Sequence, residues 1–179
     1  MISIIDIHTW ELLDLRVHDG WDVDSAWTAQ VFDAVVRRMK RKPTAVVHDH
    51  GPHFLGTFSR QLRVLEVGEE TTPTGLPSMN CYAERAIGSI RRELVRHIRV
   101  ADAKELQFFL DEYRQYANTK RPHQGLCGRT PEEASARLSE ADVIDIAVVR
   151  ARRLVRRPYA HGLLQGYSLV EDDSAREAA

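Results

Sequence analysis

Ala83, Ile87, Ile90, Leu94 and Ile98 recur at steps of three and four residues, which predicts a long amphipathic helix over about Asn80 to Arg99. Leu106, Phe109, Leu110, Tyr113 and then Tyr116 or Ala117 repeat the period and predict a second helix over Ala103 to Ala117. A third runs through Trp27, Val31, Ala34, Val35 and Met39, with Asp24 or Ser25 as its cap and the basic cluster Arg37, Arg38, Lys40, Arg41 at its C-terminal end. Thr130, Pro131 and Glu133 form a capping box that starts a short helix, and Gly56 to Arg63 is expected to be another. The strand pattern is shorter and β-branched. Ile2 to Ile7 reads as a buried strand carrying one acidic residue, Asp6. Leu12 to Val17, Gly20 to Val23 and Thr44 to His48 follow as strands, and Val64 to Thr72 contains a further one. Thr71 to Met79 carries two prolines and a glycine and reads as a loop.

Composition changes this picture little. The 179 residues, 43% of them hydrophobic, suit one globular domain. No apolar run is long enough to cross a bilayer, and the N-terminus has no leader pattern, so a cytoplasmic location without membrane contact is expected. Cys81 and Cys127 stand far apart and outside any CxxC pair, which excludes a disulfide scaffold and a four-cysteine zinc site. The net charge of −1 argues weakly against nucleic-acid binding, but charge acts through local patches. Arg85, Arg92, Arg96 and Arg99 share one face of the long helix, and VVRARRLVRRP, ending at Pro158, holds five arginines. That second run reads equally as a phosphate-binding arm or a solvated charge run.

The order of elements carries the chemistry. A strand with a carboxylate, a helix, a second strand ending in a carboxylate and a long helix with a glutamate near its start is the order of a ribonuclease H-like α/β core, a mixed sheet with flanking helices. Its candidate acids are Asp6, Asp49 and Glu84. The stretch VVHDHGPHF, with Asp49, His50, Gly51 and Phe54, resembles the second-aspartate segment of the integrase and transposase catalytic core. NCYAERAIGSIRREL, with Asn80 and Glu84, is similar to that family's Asn, three residues, Glu; 34 residues lie between Asp49 and Glu84 (84 − 49 − 1). YANTKRPHQGLCGRTPEEA resembles the segment closing the core in bacterial insertion-sequence transposases, and RRPYAHGLLQGY some of their C-terminal ends. DIHTW is similar to the first-aspartate strand, with Asp14 as the rival position.

The resemblance implies a DDE-type enzyme of DNA transposition or integration. Asp6, Asp49 and Glu84 would be both catalytic residues and ligands of two divalent ions, Mg2+ or Mn2+, since carboxylates suit hard, oxygen-loving cations. Water would attack a phosphodiester at the element's end, and the freed 3′-hydroxyl would then attack target DNA. Asn80, Arg85, Arg92, Arg96 and Arg99 would contact DNA, whose element ends and target are the implied partners of a homo-oligomer associated with the nucleoid.

Two features pull away from that assignment. Only 17 residues lie between Asp6 and Asp24 (24 − 6 − 1), too few for three strands of about five or six residues with their turns. A sheet lacking most of one strand is expected, with an unpaired edge and with Asp6 at risk of facing away from its partners. The alternative is thus an inactive, truncated transposase remnant that still binds DNA or oligomerises. His48, His50 and His53 also resemble part of a zinc-hydrolase ligand set, although Pro52 stands where that pattern has an aspartate. Residues 1–138 are expected to form the core with its C-terminal helices, and 139–179 a basic, partly flexible tail.

Overall fold

The computed structural model describes residues 1–39, 42–72, 81–136 and 152–171. Two strands precede the first helix: β1 (Ile2–Ile5) and β2 (Leu12–Arg16) pair antiparallel. Helix α1 (Ser25–Arg38) follows, capped by Asp24, whose side chain accepts from the Trp27 N–H at 2.7 Å. Next come β3 (Ala45–His48), α2 (Thr57–Val64) and β4 (Gly68–Thr71), with β3 and β4 parallel. Helices α3 (Cys81–Glu93), α4 (Ala103–Thr119) and α5 (Pro131–Ser135) precede an antiparallel hairpin of β5 (Arg152–Tyr159) and β6 (Leu164–Glu171). The class is α/β. Among the described residues the strands pair as three separate two-stranded sheets rather than one mixed sheet.

Several expectations are corrected by local chemistry. The first strand stops at Ile5, because the Asp6 carboxylate turns back to accept from the His8 N–H at 2.7 Å and the Thr9 N–H at 3.3 Å. Gly20 to Val23 is not a strand but the irregular approach to α1, so two strands stand where three would be usual. The long helix ends at Glu93 instead of Arg99. The His97 ring lies 2.9 Å from the Arg92 carbonyl, taking the acceptor that the next helical N–H would have used, and a short 3-10 turn over Val95–His97 follows. Within the region expected as a basic tail lies the β5–β6 hairpin, whose Tyr159 and Ala160 are buried against α4. Thr71 to Met79 falls largely outside the described residues.

Two apolar clusters hold these elements. One joins Leu12 and Leu15 of β2 to Ile90 and Leu94, and to Phe109, Leu110, Tyr113 and Ala117 of α4. The other joins Ala29 and Phe32 of α1 to Phe58 and Leu62 of α2 and to Val67 before β4. Of the predicted inward positions of α4, Phe109, Leu110, Tyr113 and Ala117 are buried, while Leu106 and Tyr116 are half-buried. Thr130 and Glu133 make both reciprocal bonds of the predicted capping box, at 2.8 and 3.3 Å.

The edge exposed by the missing strand is covered in an unexpected way. Asn118 of α4 accepts from the Leu12 N–H at 2.9 Å and donates to the Leu12 carbonyl at 3.0 Å, as a neighbouring strand would. Gln107, three turns earlier on the same helix, accepts from Val17 N–H at 2.9 Å and donates to the Leu15 carbonyl at 2.8 Å. Side-chain amides thus satisfy main-chain groups that would otherwise be buried without partners.

Candidate nucleic-acid interface

The three predicted carboxylates have separate surroundings. Asp6 is half-buried and shapes the turn after β1. Asp49 is exposed at the C-terminal end of β3, where it accepts from the Gly51 N–H at 2.9 Å. Glu84 is exposed in the first turn of α3, a position the helix dipole favours for an acid. Asn80 lies outside the described residues. Among the described residues no group of three or more His, Cys, Asp or Glu could hold a metal ion.

Asp14, the rival acid, has a structural role. It is 2% exposed on β2, accepts from the Leu15 N–H, and pairs with Arg16 at 3.1 Å and with Arg38 of α1 at 3.2 Å. This pairing ties the hairpin to α1 and leaves the buried charge compensated. The histidines fare likewise. His48 is buried, with Nδ1 2.6 Å from the Asp49 carbonyl and Nε2 3.2 Å from Glu69, and it stacks on Phe54 at 4.5 Å. Both ring nitrogens are engaged, so His48 does not join His50 and His53 in a zinc site.

What the fold does build is a cleft of about 620 Å3 between the turn after β1, helix α3 and the segment Arg121 to Gly125. Trp10 projects its ring into it from the Asp6 turn, where its main-chain N–H donates to the Asp6 carbonyl at 2.7 Å. Tyr82 and His123 meet the indole edge-on, each with ring centroids 5.7 Å away. The Arg85 guanidinium covers the ring at 5.4 Å. Gly125 packs against the indole so closely that any β-carbon there would overlap it.

Charge at this cleft is organised by Glu93. It accepts from Arg121 at 2.7 and 3.0 Å and from the Tyr113 hydroxyl at 3.0 Å. Burial opposes the Arg121 charge, but the hydrogen bond and attraction of Glu93 outweigh it and hold the guanidinium above its ordinary range. Burial, reinforced by Glu93, pushes the Tyr113 phenol up. Burial and the neighbouring Arg121 charge hold His123 below the usual 6.5, which favours the neutral ring.

The predicted arginine face divides at the helix end. Arg85 and Arg92 line the cleft from α3, both exposed, and Arg92 donates to Ser89 at 3.3 Å. Arg96 lies in the 3-10 turn and Arg99 beyond it, also exposed, but neither lines the cleft. Sequence reasoning left Trp10 and Tyr82 out of the site. The signal was an aromatic four residues after a turn-forming aspartate, which nothing in the linear pattern connects to Gly125.

A family model described as an integrase core domain matches residues 66–131. That stretch is similar to integrase core sequence. It contains Glu84, α3, α4, Arg121 and Gly125, and so most of the cleft; Asp6, Trp10 and Asp49 precede it. No curated protein matches the chain. Among the described residues, no helix is long and apolar enough to cross a membrane.

Proposed function

We propose that this integrase core chain acts on DNA in transposition or integration as a phosphate-contacting module with a ribonuclease H-like ancestry, and that Arg85 and Arg92 supply its central contacts. The observation that carries the reading is that these two arginines, which form no salt bridge among the described residues, line one cleft within the segment that the integrase core model matches. Arginine forks match phosphate oxygens in geometry as well as charge, and such contacts bind without reading bases. Arg96 and Arg99, exposed beyond the helix, extend the positive surface.

The test is fluorescence anisotropy of a labelled duplex titrated at several salt concentrations. Binding is expected to weaken steeply with salt, and Arg85→Ala with Arg92→Ala is expected to lower the logarithmic slope by about two. An unchanged slope would remove these arginines from the interface.

A second reading is strand cleavage and transfer, with Asp6, Asp49 and Glu84 around two magnesium or manganese ions. One observation favours it: Glu84 falls within the segment of integrase core sequence. It requires the three acids to converge. A strand-transfer assay on labelled element ends with either ion, comparing the natural chain with Glu84→Gln, decides between the readings. Activity lost in the variant supports the enzyme, and absence of activity in both supports a binding module.

A further inference from the structure

Trp10 is placed as if for a ligand. Its φ of 63° lies in the left-handed region, a costly conformation for a bulky residue, and such strain is held only where the surroundings enforce it. Here the Asp6 turn fixes the backbone, while Tyr82, His123 and the bare Gly125 position the ring. The indole face that remains is covered by Arg85, an exposed side chain free to leave. The cleft around it, about 620 Å3, is of the size that encloses a small organic group.

We infer that this cleft takes one unstacked nucleotide of a DNA strand, with its base over Trp10 in place of the Arg85 guanidinium and its phosphate between Arg85 and Arg92. The inference rests on the DNA reading above and specifies which part of the DNA the site holds. Stacking of a base on an aromatic ring is stronger than an exposed cation–π contact, so the exchange is favourable. The displaced Arg85 stays close enough to meet the phosphate with its fork. Arg121 is clamped by Glu93, so among the described lining residues the positive charge left for a phosphate comes from Arg85 and Arg92 of α3. A base inside a duplex must first be unpaired and unstacked at a cost of a few kcal/mol, whereas one at a frayed or overhanging end is already free to enter.

The experiment compares a blunt duplex with the same duplex bearing a single-stranded overhang containing 2-aminopurine, reading anisotropy for affinity and 2-aminopurine emission for stacking. The full chain is expected to bind the overhang about tenfold more tightly and to quench the probe. Trp10→Leu should bring the affinity ratio close to one and abolish quenching, whereas Trp10→Phe should retain most of both. Thermal unfolding of each variant, matched to the natural chain, separates loss of the stack from loss of the fold. Equal affinity for both DNAs, or a ratio and quenching that survive Trp10→Leu, would overturn the nucleotide site while leaving the DNA reading intact. Failure of the natural chain to bind either DNA would overturn both.

Discussion

The two halves of the molecule handle exposed strand edges by opposite means. On the β1–β2 side, α4 lies along β2 and its amides complete the main-chain bonding across separations of up to 106 residues. On the β3–β4 side, all four residues of β4, GEET, are exposed; Glu69 accepts from Ser59 at 2.7 Å and meets His48 at 3.2 Å, and among the described residues Glu70 is left as the acid on the strand's outer edge. One edge is made safe by satisfying it, the other by charging it. The consequence reaches the cleft, because the covered edge leads directly to Leu12, one of its lining residues, and to the turn that carries Trp10. The half that invests in long-range polar contacts is the half with a preorganised site.

Removing the amide cover should break this contrast most severely. Asn118→Leu keeps the side-chain volume but leaves the Leu12 N–H and carbonyl without partners in a buried setting. A loss of roughly 2–6 kcal/mol is expected, from about 1–3 kcal/mol for each of the two orphaned groups, read as a shift in the urea unfolding midpoint. A loss below about 0.5 kcal/mol, the scale of an ordinary surface change, would mean that the edge is satisfied some other way. Next in size is Gly125→Ala. The added methyl meets the Trp10 ring, so overpacking of about 1–3 kcal/mol is expected, with altered indole emission reporting the displaced ring.

These contacts also mark where the sequence stops being legible. Periodicity was enough for α1 and α4, and for most of the inward face of α4, because burial follows helical spacing whatever the partner is. The capping box at Thr130 was equally local. Asn118 stands in the sequence only as one polar position of YANTKRPHQGLCGRTPEEA, since its partner lies over a hundred residues away and no pattern links them. Asp6 illustrates the same limit: an aspartate after an apolar run reads as a strand acid, and only the position of the His8 and Thr9 amides shows it to be a turn former. The α3 end was misjudged because apolar period continued through Ile98, while the bond between the His97 ring and the Arg92 carbonyl terminated the helix first.

A smaller effect is expected from pH. His123 has a folded pKa below its ordinary 6.5, held there by burial and by Arg121, against the opposing pull of Glu93. The unfolded chain therefore binds the proton more readily than the folded one. Its contribution to stability is complete above about pH 6.5 and is lost as pH falls from there through the depressed folded value. Comparing unfolding midpoints of the natural chain and His123→Gln from pH 8 to pH 5 should show a part of the acid-side decline that is missing from the variant. Identical profiles would place the titration elsewhere.

The smallest expected change tests the charged edge. Glu70→Val on β4 removes an exposed acid without breaking any main-chain pairing, so folding stability should move by no more than about 0.5 kcal/mol. If charge is what guards this strand, the variant should instead self-associate, since an apolar, unpaired edge can add a second copy as a further strand. Sedimentation at increasing protein concentration reads this directly, and adding a charge back with Glu70→Lys should restore the original behaviour. A monomeric Glu70→Val chain would show that β4 is protected by something other than its glutamates, and the two edges would then differ in chemistry but not in how association is prevented.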